Sequence, residues 1–243
     1  MKNNLTAIIF GLAIVIASAV LGNAFMNRNN KEQTISVTGL GKADFTSDLI
    51  VWTARFNKVN SNLKQAYADL EKDKKVIMQY LVTKGISEEN LVFSAVNSTE
   101  NSAPLYGPNG NYIGSTFTGY TLSQSVEINS KDVEGIERVS REITELLNQG
   151  LQLYSESPRY YYTKIEDLKV EMISRATENA RLRAEKIAEN SGANLGDLKE
   201  ARMGIFQITG QNSGEDYSWG GAYNTSSKEK TTSITMKLTY GVN

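Results

Sequence analysis

Ile50, Trp52, Ala54 and Phe56 recur at every second position, with Thr53, Arg55 and Asn57 falling between them. A period of two predicts a strand with one buried face and one wet face. A shorter alternation, Ile35 and Val37 within Thr34 to Thr38, predicts a strand just before it, with Gly39 and Gly41 as the turn. The two strands are expected to pair as a hairpin. From Asn60 the period becomes helical: Leu63, Ala66, Tyr67, Leu70, Ile77 and Leu81 share one stripe, with Asn60 or Ser61 as N-cap and Gly85 beyond the C-terminus. Leu91 to Val96 predicts a third strand, and Pro108-Asn109-Gly110, flanked by Tyr106 and Tyr112, predicts a hairpin turn.

Further along, Tyr120, Leu122, Gln124, Val126 and Ile128 alternate as a half-buried strand. Ser130 is read as the cap of a second helix with the stripe Val133, Ile136, Val139, Ile143 and Leu146, ending near Gly150 and followed by a strand over Leu151 to Ser155. A third helix is predicted from Lys164 to Asn190, turning Ile165, Leu168, Met172, Ala176, Ala180, Ala184, Ile187 and Ala188 inward, with Gly192 at its end. Its alanines permit close approach to a sheet or a neighbouring helix. Ile205 to Thr209 and Ser233 to Tyr240 complete the strands, the last with Ile234, Met236, Leu238 and Tyr240 on one face. Alternating strands and amphipathic helices together predict an α+β fold, a largely antiparallel sheet with helices on one face. The order strand, helix, strand occurs twice, which leaves two similar subdomains open. Gly210 to Lys230 is polar and Gly-rich and reads as a mobile loop.

The N-terminus follows a different rule. After Lys2, an uncharged and mostly apolar run extends from Leu5 to Met26. At about 1.5 Å per residue it covers roughly 30 Å, the thickness of a bilayer core. The pattern predicts a retained membrane anchor or a signal segment; Ala17-Ser18-Ala19 and Gly22-Asn23-Ala24 would each serve as a cleavage site. A polar spacer, Asn27 to Gln33, separates it from the rest, so the expected organisation is residues 1–33 as anchor or signal plus spacer and 34–243 as one α+β domain. The domain is expected on the exported, periplasmic side of the membrane, or free in the periplasm after cleavage.

Composition then narrows the chemistry. The chain has no Cys and no His. That removes imidazole general bases, the Ser-His-Asp triad, thiolate catalysis, Cys or His metal sites and disulfides. At a net charge of -1 the composition shows no strongly basic face, so nucleic acid is not an expected partner. Gly39-Leu40-Gly41 is not read as a phosphate loop, because a strand and not a helix follows it. The acidic groups Asp69, Glu71 and Asp73, Glu88 and Glu89, and Glu215 and Asp216 lack the spacing of a calcium loop and read as solvated surface. Tyr160, Tyr161 and Tyr162, with Tyr154 before them, read as half-buried core and edge positions. Tyr106, Tyr112, Tyr217, Trp219 and Tyr223 sit in polar loops; Tyr106, Tyr112, Trp219 and Tyr223 are the candidate interaction surface. No catalytic, cofactor-binding or metal-binding residue is assigned.

Several of these landmarks stand in one order. Gly39-Leu40-Gly41-Lys42-Ala43, Ser47-Asp48, Gly85-Ile86, Pro104-Leu105-Tyr106, Gly119-Tyr120 and the helix run Ala176, Ala180-Arg181, Arg183-Ala184, Ile187-Ala188, Gly192 and Leu195-Gly196 resemble the SIMPL-domain family. That family includes periplasmic immunogenic proteins and envelope proteins linked to oxidative-stress defence. Ser47 stands where the family usually has Pro, and the usual Pro-Gly before the last strand is missing. The resemblance implies an α+β fold, export and self-assembly, and it carries no catalytic residue. The function expected is therefore a non-enzymatic envelope protein acting by binding or self-assembly, with a membrane contact through the N-terminal helix, an envelope protein or a second copy as partner, and an indirect link to stress defence. The alternative is a carboxylate- or tyrosine-based enzyme or small-ligand binder.

Overall fold

A computed structural model describes residues 2–27, 33–216 and 218–243. Most of the polar spacer and the aromatic Tyr217 lie outside the described residues. The elements, in order, are α1 (Lys2–Asn27), β1 (Thr34–Thr46), β2 (Leu49–Asn60), α2 (Leu63–Thr83), β3 (Leu91–Phe93), β4 (Asn97–Tyr106), β5 (Tyr112–Ser130), α3 (Val133–Glu142), β6 (Gln152–Ser155), β7 (Arg159–Tyr161), α4 (Ile165–Asn190), β8 (Leu195–Met203), β9 (Gln207–Gly210) and β10 (Glu229–Val242). The fold is α+β, with antiparallel pairing between the strands. It divides into two compact units interleaved along the chain, so the repeated strand, helix, strand order does not mark a boundary between them.

The larger unit comprises Gly41–Arg175 and Ile205–Ile234. Its sheet runs β3-β5-β2-β6, with β4 beside β5 and β7 beside β2. The alternation in β2 performs as predicted: Ile50, Trp52, Ala54 and Phe56 are buried, and Leu122, Val126 and Ile128 of β5 join them. Helices α2 and α3 pack on these strands, bringing Ala66, Leu70, Ile77 and Leu81, and Val133, Ile136 and Val139, into the same core. The indole N–H of Trp52 donates to Ser155 Oγ at 3.0 Å, and that hydroxyl donates to the Ser140 carbonyl at 2.7 Å. The largest core side chain is thus polar-satisfied at its one polar atom.

Several expectations require correction here. The expected hairpin of β1 with β2 does not form: β2 pairs with β5, β6 and β7, and β1 lies beside β10. Asn62, not Asn60 or Ser61, caps α2 through Gln65 N–H, and Asp132, not Ser130, caps α3 through Gly135 N–H. In both cases the cap lies one or two residues later, next to the first helical residue. Leu63 and Tyr67, expected inward, are exposed, whereas Asp73 lies on the buried stripe and forms an ion pair with Lys58 at 2.9 Å. Asp73 is 5% exposed, which corrects its reading as solvated surface. The third strand stops at Phe93, and β7 and β8 were not predicted.

The smaller unit comprises Met1–Leu40, Ala176–Gly204 and Thr235–Asn243. Here the C-terminal half of β10 pairs with β8, Met236 opposite Met203 and Leu238 opposite Ala201. Ala176, Ala180, Ala184 and Ala188 form a buried stripe on α4, whereas Ile187, expected inward, is exposed and Ile165, in the larger unit, is only half-buried. The expected turn at Gly39 and Gly41 is also corrected, since β1 continues through both. Gly39 serves a different purpose. A Cβ there would meet the Ala176 carbonyl oxygen and the Ala180 Cβ, so its missing side chain lets strand and helix backbones touch. Leu40 N–H donates to Asn179 Oδ1 and Arg183 donates to the Thr38 carbonyl across the same seam.

Candidate interaction surface

β5 is paired with β2 only as far as Tyr120, which lies opposite Asn60, the last residue of β2. From Gly119 to Tyr112 it pairs with β4 alone. At about 3.4 Å per residue, Asn101 to Tyr106 carries this two-stranded arm about 20 Å beyond the end of β2. Gly119 sits at the base with φ +140, where a Cβ would lie 2.9 Å from the Asn60 carbonyl oxygen, so only glycine suits the exit. A register shift between Asn101 and Ser102 leaves Thr118 unpaired and brings Phe117 within 5.0 Å of Tyr120, ring to ring. At the tip Tyr106 and Tyr112 meet edge to face, centroids 6.3 Å apart. Leu105, Tyr106, Tyr112, Ile113 and Phe117 are all exposed.

The sequence signal for this arm was available and is independent of the tyrosines. No Asp, Glu, Lys or Arg occurs between Glu100 and Glu127 in a chain that is 22% charged. Edge strands are ordinarily blunted by charge. Here the free edge of β4 carries only Glu100 and Pro104 as deterrents.

Of the four candidate residues, Tyr106 and Tyr112 are therefore brought together, while Trp219 and Tyr223 belong to a different loop. That loop is not the free coil expected. Gln207 Nε2 donates to the Ser218 carbonyl at 2.8 Å and its Oε1 accepts from Ala222 N–H at 2.7 Å. Glu215 accepts from Gly210 N–H and from the Asn224 amide, and the Lys230 ammonium donates to the Ser227 carbonyl and Asn224 Oδ1. Pinned at its base, the loop presents Trp219 at 95% exposure and leaves Tyr223 half in solvent. Lys230 itself is 2% exposed. Burial pushes its pKa down to about 8, only partly opposed by the Glu215 charge.

The other lysines whose pKa is shifted, Lys84, Lys186 and Lys228, move the opposite way. Lys84 donates to Glu142 at 2.7 Å, which raises the lysine and lowers the carboxyl. Lys228 lies 2.7 Å from Glu134 and 3.2 Å from Glu137, and these hydrogen bonds raise it. Asp48 accepts from Thr163 N–H at 2.7 Å and from its hydroxyl at 2.6 Å. Each arrangement ties separate elements together. Tyr160 is buried, as its reading as a core position required, and burial raises its pKa; partial burial raises that of Tyr223. Among the described residues no group of three or more acidic side chains is placed to hold a metal ion.

The family model described as SIMPL, protein of unknown function (DUF541), matches residues 35–242. The chain belongs to this family. No curated protein matches it. The residues that carry the SIMPL likeness fall at structural joints: Gly39 at the strand-helix seam, Gly85 and Gly192 at positive φ after α2 and α4, Gly119 at the base of the arm, and Pro104-Leu105-Tyr106 in its outer strand. Ser47, where the SIMPL pattern usually has proline, uses its N–H to donate to the Lys228 carbonyl at 3.0 Å, a bond proline could not make.

Proposed function

We propose that this SIMPL-domain protein is a cell-envelope component, held at a membrane by α1 with its domain on the exported side, and that it works by binding or self-assembly and not by catalysis. The uncharged arm carries this reading. A two-stranded ribbon is marginally stable alone in water, and an exposed apolar tip gains most when something covers it. The surrounding electrostatics agree: Lys84 and Lys228 are held in ion pairs with Glu142 and with Glu134 and Glu137, and Lys230, whose pKa is lowered, is buried beneath a loop. A general acid or base is tuned toward neutrality and faces a cleft.

The membrane part rests on α1. Among the described residues no helix is long and apolar enough to cross a membrane. Yet Phe10, Leu12, Ile14, Val15, Ile16, Val20, Leu21, Phe25 and Met26 are all exposed. A helix apolar on every side is at home in lipid or protein and not in water, and the sequence run from Leu5 to Met26 extends the same character. Carbonate-washed membranes from cells making the full chain should retain it, and protease should digest the domain only when it reaches the exported face. Recovery of the chain in the soluble cytoplasmic fraction would end this proposal.

A further inference from the structure

Resting on the assembly reading above, we propose that the partner of the arm is a second copy of this chain, joined by antiparallel pairing of β4 with β4 across a two-fold axis. β4 pairs with β5 on one side, and among the described strands none pairs with the other. Its ten residues, Asn97–Tyr106, offer a free edge about 33 Å long. An edge of backbone N–H and C=O groups is self-complementary when two copies run antiparallel, and a two-fold axis closes the contact instead of propagating it. The resulting order β5-β4-β4-β5 has the three or more strands that a ribbon needs for independent stability.

Charge selects the same partner. Across most of its surface the chain would meet a copy of itself as a mixture of like and unlike charges; along the arm it meets none but Glu100. If the two strands overlap along their full length, Asn101 of one copy faces Ser102 of the other and Glu100 faces Ala103, so the two carboxylates are kept apart. A lipid surface is the competing cover for an aromatic tip. It would leave the β4 edge unsatisfied, and backbone groups without partners are costly in lipid. Copies tethered in one membrane also meet at a raised effective concentration, which favours a modest interface.

The chain has no Cys, so single cysteines can be placed without a background. The full-length protein in detergent is sized by light scattering, and cysteines introduced one at a time from Asn97 to Tyr106 are treated with a short bismaleimide. A dimer or a multiple of it is expected, with cross-linking strongest at Asn101 and Ser102 and falling toward both ends. The double variant Ala103→Lys with Leu105→Lys should reduce the particle to half its mass with an unchanged far-ultraviolet circular dichroism spectrum. An oligomer that cross-links nowhere along β4 overturns the pairing and leaves assembly standing. A monomer without cross-links overturns both the pairing and the assembly half of the reading. Protection of the arm cysteines by added phospholipid vesicles, with no cross-linked dimer, overturns the pairing in favour of lipid.

Discussion

A Cβ on Gly39 would lie 2.0 Å from the carbonyl oxygen of Ala176. Neither atom belongs to a flexible side chain, so Gly39→Ala forces β1 and α4 apart. Overpacking of this kind costs about 3 kcal/mol. Gly110→Ala is the control: φ is +74 and nothing lies within 4 Å, so the cost is the local left-handed strain alone, about 1 kcal/mol. Thermal melts followed by circular dichroism should rank the two in that order; equal losses would contradict the tight seam.

Lys230 should give stability an unusual pH dependence. Its folded pKa, about 8, lies below the ordinary 10.5. Between those values the unfolded chain holds the proton and the folded chain does not, so its contribution to stability rises with pH through that window. Below it, the cost of the buried cation is felt in full. Lys84, Lys186 and Lys228 are raised, so their stabilisation is lost only above 10.5. The melting temperature of the native chain relative to Lys230→Met should therefore climb from pH 8 to 10. A difference that stays flat would mean the ammonium is not desolvated.

Asp73 and Lys58 form a pair whose carboxylate is buried and whose ammonium reaches solvent. Asp73→Ala should destabilise by about 2 kcal/mol, between the small worth of exposed pairs and the 3–5 kcal/mol of fully buried ones. Denaturant titration of Asp73→Ala, Lys58→Ala and the double variant measures the coupling. Strictly additive losses would show the two side chains acting separately.

The two tryptophans occupy opposite extremes, Trp52 at 0% and Trp219 at 95% exposure. Acrylamide should quench the fluorescence in two classes. Trp219→Phe should leave only the shielded, blue-shifted emission of Trp52 and move stability by less than about 0.5 kcal/mol. Paired replacement of Trp219 and Tyr223 by Ala should also leave particle size unchanged, since the arm and not this loop is assigned the contact.

What the sequence disclosed was governed by the range of each interaction. The faces of β2 and β5 and the stripes of α2 and α3 were legible because burial follows a local period, and the Trp52, Phe56, Leu122 and Val126 core appeared as read. Pairing was not legible: nothing near Thr34 or Leu49 states that β1 will lie beside a strand nearly two hundred residues later. Gly39 looked like a turn because the helix that needs its missing side chain begins far downstream. Asp73 looked solvated because its cation lies on a neighbouring strand. Tyr106 and Tyr112 were singled out for their residue type, while the better clue, the long absence of charge between Glu100 and Glu127, identifies the whole arm.

The position of β10 also sets an order of events in folding. The six-stranded sheet draws only on residues 49–161 and can pair while synthesis continues. The smaller unit cannot, since it joins residues before Leu40 to residues after Thr235, as in the bond from Val242 N–H to the Gln33 carbonyl at 3.0 Å. Contacts of such separation are formed late, after the entropy of closing nearly the whole chain has been overcome. Removing the last few residues should therefore leave a folded central sheet with an open N-terminal strand, a species recognisable by its early proteolysis near Thr34.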